Sequence, residues 1–346
     1  MRVIAEPAFK DRYENPYTWL LYTQMTRLGV DIDEFSPLRL LQNKYAIWHR
    51  HWPERNLNNS NIGVAIAKTQ ALLFLMKIAR SRGIKTVWTI HNLAAHERRY
   101  PHWEAKFWHG FIQQLDGCIS FSQAGMEAAR ERFPTLKELP NFVISHGHYR
   151  AEYPNHISAG EARAELGIPT SAKVLLFFGK IRPYKNVTEL IRVFSQFSDP
   201  AALLYIVGFP EVSDLKAEIE AEAISDPRIR INLDFIPKDQ AQIYFAAADL
   251  VILPYREILN SGSALLALSF NRPILVPQRG SLGELQEQVG AEWVRTYTGE
   301  INPGHIETAL NWVMNTKRPE LAPLSVFEWK ELARQTIDAY HTIATK

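Results

Sequence analysis

The sequence predicts an α/β protein with two doubly wound parallel sheets. Short apolar runs alternate with helical patterns along most of the 346 residues, and this alternation is typical of parallel sheets that carry helices on both faces. A turn-rich stretch over 148–160 has no periodicity, interrupts the alternation once and is interpreted as a linker. The chain is also long for a single core and suits two domains.

The first domain is predicted over 1–155. Short apolar segments predict strands over 2–6, 45–49, 86–90, 118–121 and 142–145. Apolar residues spaced by three and four predict helices over 17–28, 62–82, 103–115 and 123–133. The first segment is interpreted as a strand and not as a signal peptide, because its apolar core is too short. No uninterrupted apolar run approaches about 18 residues, so no membrane-spanning helix is expected.

The second domain is predicted over 156–325. The same patterns predict strands over 174–178, 203–207, 230–233, 249–253 and 273–276. They predict helices over 186–197, 213–224, 238–247 and 262–270. The last segment, 326–346, is predicted as a helix that has no strand after it, so we expect this helix to pack back towards the first domain.

The charge and aromatic content differ between the two halves. The first 160 residues contain 20 Lys and Arg against 14 Asp and Glu, with nine of the eleven histidines and six of the nine tryptophans. This basic, aromatic half suits a phosphorylated ligand or an anionic membrane surface. No Lys/Arg run is dense enough to track a nucleic-acid groove, so no nucleic-acid partner is expected. The single cysteine, Cys118, excludes an internal disulfide framework.

A cationic turn follows the strand predicted over 174–178. Gly179 opens the turn, and Lys180, Arg182 and Lys185 follow directly before a predicted helix. Backbone N–H groups at a helix N-terminus, together with nearby cations, form a site for anions such as phosphate. The alternative is a solvated basic loop.

Polar and aromatic side chains follow the predicted strands of the first half. His51, Trp52 and Glu54 come after the second predicted strand, and His91 directly follows the third. Ligands of doubly wound sheets bind beyond the carboxyl ends of the strands. We therefore expect these four side chains at the edge of a ligand-binding cleft.

Four short motifs, together with the two doubly wound halves that hold them, carry a family resemblance. The motifs are the turn over 179–186, the run Ala-Asp-Leu-Val-Ile-Leu-Pro over 248–254, Asn-Arg-Pro over 271–273 with the apolar strand after it, and Thr-Ile-His-Asn over 89–92. Together they resemble family 4 glycosyltransferases of the GT-B fold, in which two Rossmann-like domains face each other across a cleft. The resemblance covers nearly the whole chain and is stronger in the second half.

The resemblance implies which residues bind the donor. The family places a basic residue directly after the turn glycine and a lysine five positions later, and both contact the donor diphosphate; here these are Lys180 and Lys185. Arg182 is a further candidate on phosphate. Fixed cations stabilise the charge of the leaving diphosphate, so neither a metal nor another cofactor is expected. The family's matching histidine, His91 here, contacts the donor sugar near its reacting carbon and is assigned a catalytic role.

The sequence departs from the family at two glutamates. Alignment on the motif over 271–273 puts Ile258 and Leu266 at the positions of the usual glutamate pair. We expect other donor-binding residues to replace them: Asn260, Ser261 and Gly262 at a predicted helix start, Glu284 after a later turn, and Glu257 as a stand-in for the first glutamate. Without the pair, retention of the donor's anomeric configuration cannot be inferred.

The acceptor is assigned to the first domain. Glu54 would serve as the general base if the reaction inverts the anomeric configuration. The residues assigned to acceptor binding are Trp52, His51, Asn15 and Tyr17. His96 and Glu97 are weaker catalytic candidates.

The resemblance implies a metal-independent hexosyltransferase of exopolysaccharide biosynthesis. It would move a sugar from GDP-mannose or a UDP-hexose, with a slight preference for GDP-mannose, to a hydroxyl of a lipid-linked or growing oligosaccharide. The alternatives are a nucleotide-sugar epimerase of the same fold and a catalytically degenerate glycan-binding relative.

A membrane-facing surface is expected on the helix predicted over 103–115. Trp103, Phe107 and Phe111 share one face of this helix, and the cations Arg98, Arg99 and Lys106 lie nearby in the sequence. Cations and aromatic rings together suit an anionic lipid interface. The enzyme is therefore expected in the cytoplasm, peripherally bound to the inner face of the plasma membrane. The alternative places these aromatic rings in the core of the domain, and the helix around 72–82 is a weaker candidate for the membrane-facing surface.

Overall fold

A computed structural model describes residues 1–13, 15–95 and 99–345. The chain divides into two compact units: unit 1 comprises Met1–Gly147 with Phe327–Lys346, and unit 2 comprises His148–Val326. The predicted boundaries were 155/156 and 325/326. The turn-rich stretch that begins at residue 148 packs within unit 2, where the backbone N–H of Tyr149 donates to Ser269 Oγ.

Unit 1 contains a six-stranded parallel sheet. Its strands are β1 (Arg2–Glu6), β2 (Asp31–Glu34), β3 (Ile47–Arg50), β4 (Lys85–Thr89), β5 (Gly117–Ser120) and β6 (Asn141–Val143). Its first five helices are α1 (Tyr17–Arg27), α2 (Pro37–Gln42), α3 (Ile62–Ser81), α4 (Pro101–Ile112) and α5 (Gln123–Arg132). The strand order is β2-β1-β3-β4-β5-β6.

Unit 2 contains a second parallel sheet of six strands. They are β7 (Lys173–Phe178), β8 (Ala202–Val207), β9 (Ile229–Asn232), β10 (Leu250–Ile252), β11 (Ile274–Pro277) and β12 (Val294–Tyr297), in the order β12-β11-β10-β7-β8-β9. The helices are α6 (Ala159–Glu165), α7 (Val187–Ser195), α8 (Ser213–Ala223), α9 (Lys238–Ala247), α10 (Gly262–Ser269), α11 (Ser281–Val289) and α12 (Pro303–Asn315). The predicted α/β fold with two doubly wound sheets is confirmed.

The strand order identifies the ligand-binding edge of each unit. The chain reverses direction across the sheet between β1 and β3 in unit 1, and between β7 and β10 in unit 2. Doubly wound sheets bind ligands at this switch point, beyond the carboxyl ends of the strands. The residues that follow β3 and β7 therefore lie where the fold favours a site.

Two strands were missed by the sequence interpretation. β2 reads Asp-Ile-Asp-Glu and pairs only with β1, and β12 reads Val-Arg-Thr-Tyr and pairs only with β11. Both are edge strands, which need no continuous apolar run because one side meets solvent. Because polar residues interrupt their apolar pattern, the sequence patterns did not predict these two strands.

The last helix, α13 (Trp329–Ala344), belongs to unit 1 and packs against α1. Apolar residues spaced by three and four give it a buried stripe that includes Leu332, Ala339 and Ile343. The stripe also contains Tyr340, which is completely buried. This position brings the Tyr340 hydroxyl beside side chains of β3.

The prediction that α4 presents aromatic rings to a membrane is wrong. Phe107 and Phe111 are 1% and 0% exposed, because they pack with Trp88 and Trp108 in the core of unit 1. The Trp103 ring nitrogen donates to Thr69 Oγ1 on α3. Of the cations expected beside this face, Arg98 lies outside the described residues.

α3 is the one helix in the described ranges that is long and apolar enough to cross a membrane, by length and composition only. Core helices of soluble proteins pass the same test. The sequence analysis treats Lys77 and Arg80 as interruptions of this apolar segment and expects no membrane-spanning helix, and that expectation stays a prediction.

Candidate active site

The cationic turn of unit 2 begins where β7 ends. Gly179 has a φ of +128°, a backbone conformation that is strained for any residue with a side chain. A Cβ atom there would also lie 3.0 Å from Ser263 Oγ and 3.7 Å from Lys185 Nζ. Glycine therefore lets the backbone approach the start of α10 closely and brings Ser263 and Lys185 near each other.

Lys185 is the buried cation of this turn. It is only 8% exposed, and its Nζ lies 5.5 Å from the centre of the Tyr255 ring. Burial, assisted by the positive charges of Arg182 and Lys180, lowers the pKa of Lys185 to about 7. An anion beside Nζ would relieve this cost, because it favours the charged ammonium.

Lys180 and Arg182 both form ion pairs with Glu211. The sequence analysis does not predict Glu211 as a residue of this site. Lys180 Nζ lies 3.0 Å from Glu211 Oε1, and the Arg182 guanidinium binds the same carboxylate with two N–H groups. Burial alone would raise the pKa of Glu211, but the bonds from Arg182 and Lys180 hold it at about 2. Glu211 lies in the loop after β8, and no local pattern in the sequence connects it to the turn.

The start of α10 has the capping geometry expected from its sequence. Ser261 Oγ accepts a hydrogen bond from the backbone N–H of Ala264, which is an ordinary N-cap, and Gly262 is the first helical residue. Asn260 lies just before the cap, and Glu284 lies in the first turn of α11. Leu266, at the position of one family glutamate, is buried in the apolar face of α10.

His91 follows β4 in unit 1 and is surrounded by aromatic rings. The centre of the Trp52 ring lies 4.1 Å from that of the His91 ring, and the two rings are tilted by 32°. Tyr17 and Phe121 contact His91 edge-on, at 5.2 and 5.0 Å. These contacts hold the imidazole ring in one plane.

A chain of buried hydrogen bonds runs inward from His91. His91 Nε2 lies 3.0 Å from His51 Nδ1, and His51 Nε2 lies 2.6 Å from the Tyr22 hydroxyl. That hydroxyl lies 2.8 Å from His49 Nδ1. His49 Nδ1 also meets the Tyr340 hydroxyl at 2.5 Å, and His49 Nε2 meets Thr89 Oγ1 at 2.7 Å.

Glu54 is a buried carboxyl that follows His51 in the sequence, in the loop after β3. It is 1% exposed, and its Oε1 accepts a hydrogen bond of 2.7 Å from Asn92 Nδ2. Its Oε2 has no hydrogen-bond partner among the described residues. Burial raises the pKa of Glu54 to about 7, although the Asn92 bond opposes this shift. A carboxyl with such a pKa exchanges protons readily near neutral pH.

Comparisons with known proteins identify the family. A family model described as glycosyl transferases group 1 matches residues 158–287. A GDP-mannose:glycolipid 4-beta-D-mannosyltransferase of Xanthomonas campestris pv. campestris is 33% identical over 323 residues, which cover 92% of this chain and 86% of the relative. The chain belongs to the group 1 glycosyltransferases. The resemblance to GT-B glycosyltransferases is thereby confirmed, and this glycosyltransferase is an enzyme of the hexosyltransferase class.

Solved structures share the fold of this glycosyltransferase. Sucrose-phosphate synthase of Thermosynechococcus elongatus superposes with a TM-score of 0.71 at 14% identity, over 99% of both chains. The HepE protein of Anabaena, solved in complex with UDP-glucose, superposes with a TM-score of 0.66 at 15% identity, over 99% of this chain and 98% of its own.

The residues predicted for the glycosyltransferase's acceptor site stay predictions, and their positions in unit 1 differ in exposure. His51 is completely buried, and both of its ring nitrogens face other side chains. Tyr17 is 5% exposed and packs among rings of unit 1. Asn15 Oδ1 accepts from the backbone N–H of Tyr17 at the start of α1. Trp52 is partly exposed and stays a candidate.

The weaker catalytic candidates His96 and Glu97 lie outside the described residues. Within the described ranges, no group of three or more His, Cys, Asp or Glu side chains is arranged to hold a metal ion.

Two buried histidines, His49 and His51, and two half-buried ones, His91 and His146, predict acid sensitivity of unit 1. Burial lowers the pKa of His49 to about 3 and that of His146 to about 4, and it holds those of His51 and His91 well below the ordinary value. Each is protonated in the unfolded chain below about pH 6.5 but not in the folded chain. Stability is therefore complete above that pH and is lost as the pH falls, by about 1.4 kcal/mol per pH unit for each histidine.

The raised pKa of Glu54 makes the folded protein more stable as the pH falls from about 7 to 4.5. This gain comes from one group, whereas four histidines lower the stability over the same range. Thermal unfolding followed from pH 7.5 to 5 should show a steeply falling midpoint. His146→Gln should flatten this slope, whereas replacement of the exposed His102 should not. An unchanged midpoint across this range would contradict the prediction.

Proposed function

We propose that this glycosyltransferase moves mannose from GDP-mannose to a hydroxyl of a glycolipid, as a step of exopolysaccharide biosynthesis. The observation that carries the proposal is the 33% identity over 92% of the chain with an enzyme named for this reaction. A second sequence of the same printed activity is 32% identical over the same share. These relatives do not favour the epimerase or the glycan-binding alternative.

The chemistry of unit 2 supports a donor diphosphate at the turn after β7. Lys180, Arg182 and Lys185 supply three cations at the switch point, and the start of α10 adds backbone N–H groups. Departure of the nucleotide leaves an additional negative charge on its terminal phosphate, which these fixed cations stabilise as it develops. We infer that no metal is required, since the cations perform the task of Mg²⁺.

The acceptor side of the proposal rests on Glu54 and His91 in unit 1. The relative's name specifies a β-linked product, whereas mannose is α-linked in GDP-mannose, so transfer would invert the anomeric carbon. Inversion in one displacement needs a base that removes the acceptor's hydroxyl proton. Glu54 is the proposed base, because its Oε2 lacks a partner among the described residues and its pKa is about 7.

The test of this function begins with the donor. Thermal unfolding of the purified chain should be measured with GDP, UDP and ADP, since a ligand at a hundred times its Kd adds about 2.7 kcal/mol of stability. GDP is expected to stabilise the protein most. GDP-mannose with membrane glycolipid extract should then release GDP and label the lipid, with equal rates in the presence of EDTA. Stabilisation by UDP alone would assign another donor, and glycan binding without turnover of any donor would disprove the enzyme.

We propose that α3 is the surface of unit 1 that contacts an anionic bilayer. Its apolar side chains Ile62 and Phe74 are 50% and 63% exposed. Lys68, Lys77 and Arg80 are exposed on the same helix, and its twenty residues contain no Asp or Glu. Long cationic side chains place their charge among lipid head groups while exposed rings enter the acyl boundary. This surface replaces the one predicted on α4 and would hold the enzyme near a lipid acceptor at the inner face of the membrane.

Vesicle sedimentation tests this surface. The protein should bind vesicles that contain phosphatidylglycerol more strongly than pure phosphatidylcholine vesicles, and added salt should weaken binding because it screens the cations. Phe74→Ser and the double variant Lys77→Glu with Arg80→Glu should both reduce binding. Phe209→Ser is the matched control, since Phe209 is 49% exposed on unit 2. Equal loss in the control variant would count against α3.

A further inference from the structure

We propose that the Tyr340 hydroxyl of α13, acting through His49, Tyr22 and His51, holds His91 as the tautomer that carries its proton on Nδ1. Tyr340, Tyr22 and His51 would then be positioning residues for His91, and the C-terminal helix would be part of the catalytic apparatus. The proposal rests on the function proposed above only in assigning a catalytic use to His91. The tautomer itself can be measured without any assay of activity.

The first step concerns how many N–H and O–H protons the hydrogen-bond chain between His91 and Tyr340 contains. A neutral imidazole has one N–H group and one nitrogen that accepts, so a neighbour that donates to one nitrogen makes the other nitrogen a donor. His51 meets Tyr22 at Nε2 and His91 at Nδ1, and it is completely buried. The tautomer of His91 is therefore coupled to the direction of the Tyr22 hydroxyl proton. The strongly lowered pKa values of His49, His51 and His91 keep all three rings neutral.

The second step concerns Tyr340. The Tyr22 proton has two nitrogen acceptors, His51 Nε2 at 2.6 Å and His49 Nδ1 at 2.8 Å. His49 Nδ1 has only one in-plane site, and the Tyr340 hydroxyl faces it at the shorter distance of 2.5 Å. In this proposal Tyr340 donates to His49 Nδ1 through the shortest of these three contacts, so the site is taken and the Tyr22 proton points to His51 Nε2.

The direction of the Tyr22 proton determines the tautomer of His91 through the hydrogen bond between His51 and His91. His51 accepts at Nε2, so it carries its proton on Nδ1 and donates to His91 Nε2. His91 Nε2 is then an acceptor, and the proton of His91 is on Nδ1. His91 would meet a ligand as a hydrogen-bond donor and not as a base. This leaves the removal of the acceptor proton to another group, in agreement with the role proposed for Glu54.

Nuclear magnetic resonance tests the tautomer directly. The full chain, labelled with ¹⁵N-histidine, should show His91 with a protonated Nδ1 and an unprotonated Nε2, its signals being assigned by their loss in His91→Ala. Tyr340→Phe removes the hydroxyl but keeps the ring, and it should move the His91 proton to Nε2, because Tyr22 can then donate to His49. Tyr22→Phe, a second variant, should abolish the single tautomer. Tyr45→Phe is the control, since its hydroxyl donates to Asp33 elsewhere in unit 1.

Kinetics provide an independent readout. Tyr340→Phe should lower kcat about tenfold, as for the loss of one productive hydrogen bond, while the Kd for GDP stays unchanged and Tyr45→Phe keeps full activity. A wild-type His91 protonated on Nε2 would overturn the assignment, and an Nδ1 proton that persists in Tyr340→Phe would remove Tyr340 from it. Absence of transferase activity with every donor would refute the proposed function but leave the tautomer result standing.

Discussion

Replacement of Lys185 by alanine is expected to lower kcat by about 100- to 1,000-fold, the usual cost of removing one group that stabilises developing negative charge. Lys185 is the buried cation of the turn after β7, and its Nζ lies beside Gly179 and the start of α10. In this dry position a charge acts with little screening. Single-turnover release of GDP from GDP-mannose measures the effect on the step that breaks the sugar–phosphate bond.

Two further lysines provide the controls for this result. Lys180→Ala should cost much less, because Lys180 is half exposed and already pairs with Glu211. Lys173→Ala should leave kcat unchanged, since Lys173 pairs with Asp199 at the far end of β7. Equal losses in all three variants would indicate a general loss of stability and would contradict a specific role for Lys185.

The lowered pKa of Lys185 gives the same site a pH dependence. A bound diphosphate favours the charged ammonium, and below pH 7 Lys185 is charged before GDP binds. As the pH rises above about 7 the free enzyme loses this proton, so binding must restore it and becomes weaker. The Kd for GDP should therefore rise between pH 7 and 9 in the wild type. In Lys185→Ala it should change little over this range.

The parts of the molecule that local patterns determine could be predicted from sequence. Central strands such as β7 are buried on both faces and read as continuous apolar runs. The turn from Gly179 to Lys185 is likewise contiguous, so its glycine, cations and following helix were visible together. The edge strands β2 and β12 were missed because partial exposure allows them polar residues.

The remaining site residues come from distant parts of the chain. Glu211 reaches Lys180 and Arg182 only because β7 and β8 pair side by side. Tyr340 reaches His49, 291 residues away in sequence, because α13 packs on α1. One signal was available: His49 and His51 are two residues apart, and such residues of a strand point to the same face. Two histidines on one face at a switch point would have indicated a buried polar cluster there.

Glu54→Gln is the second change with a large expected effect. It should lower kcat by about 100- to 10,000-fold, the range for loss of general base catalysis. The amide has nearly the same shape, and its oxygen can still accept from Asn92 Nδ2 as Oε1 does. However, an amide cannot take a proton from the acceptor hydroxyl. Binding of GDP should be unchanged, because the residues proposed to bind the donor belong to unit 2.

The pH–rate profile separates a base from a structural carboxyl. Glu54 must be ionised to act, so kcat/KM in the wild type should rise with pH and level off above about 7. Glu54→Gln should lack this limb. Glu104→Gln is the matched control: Glu104 is a buried carboxyl of unit 1 that accepts from Trp108 and from the backbone of Ala95. The control should lower the unfolding midpoint but keep the limb. If Glu54→Gln does the same, the base is another group and Glu54 only supports the loop after β3.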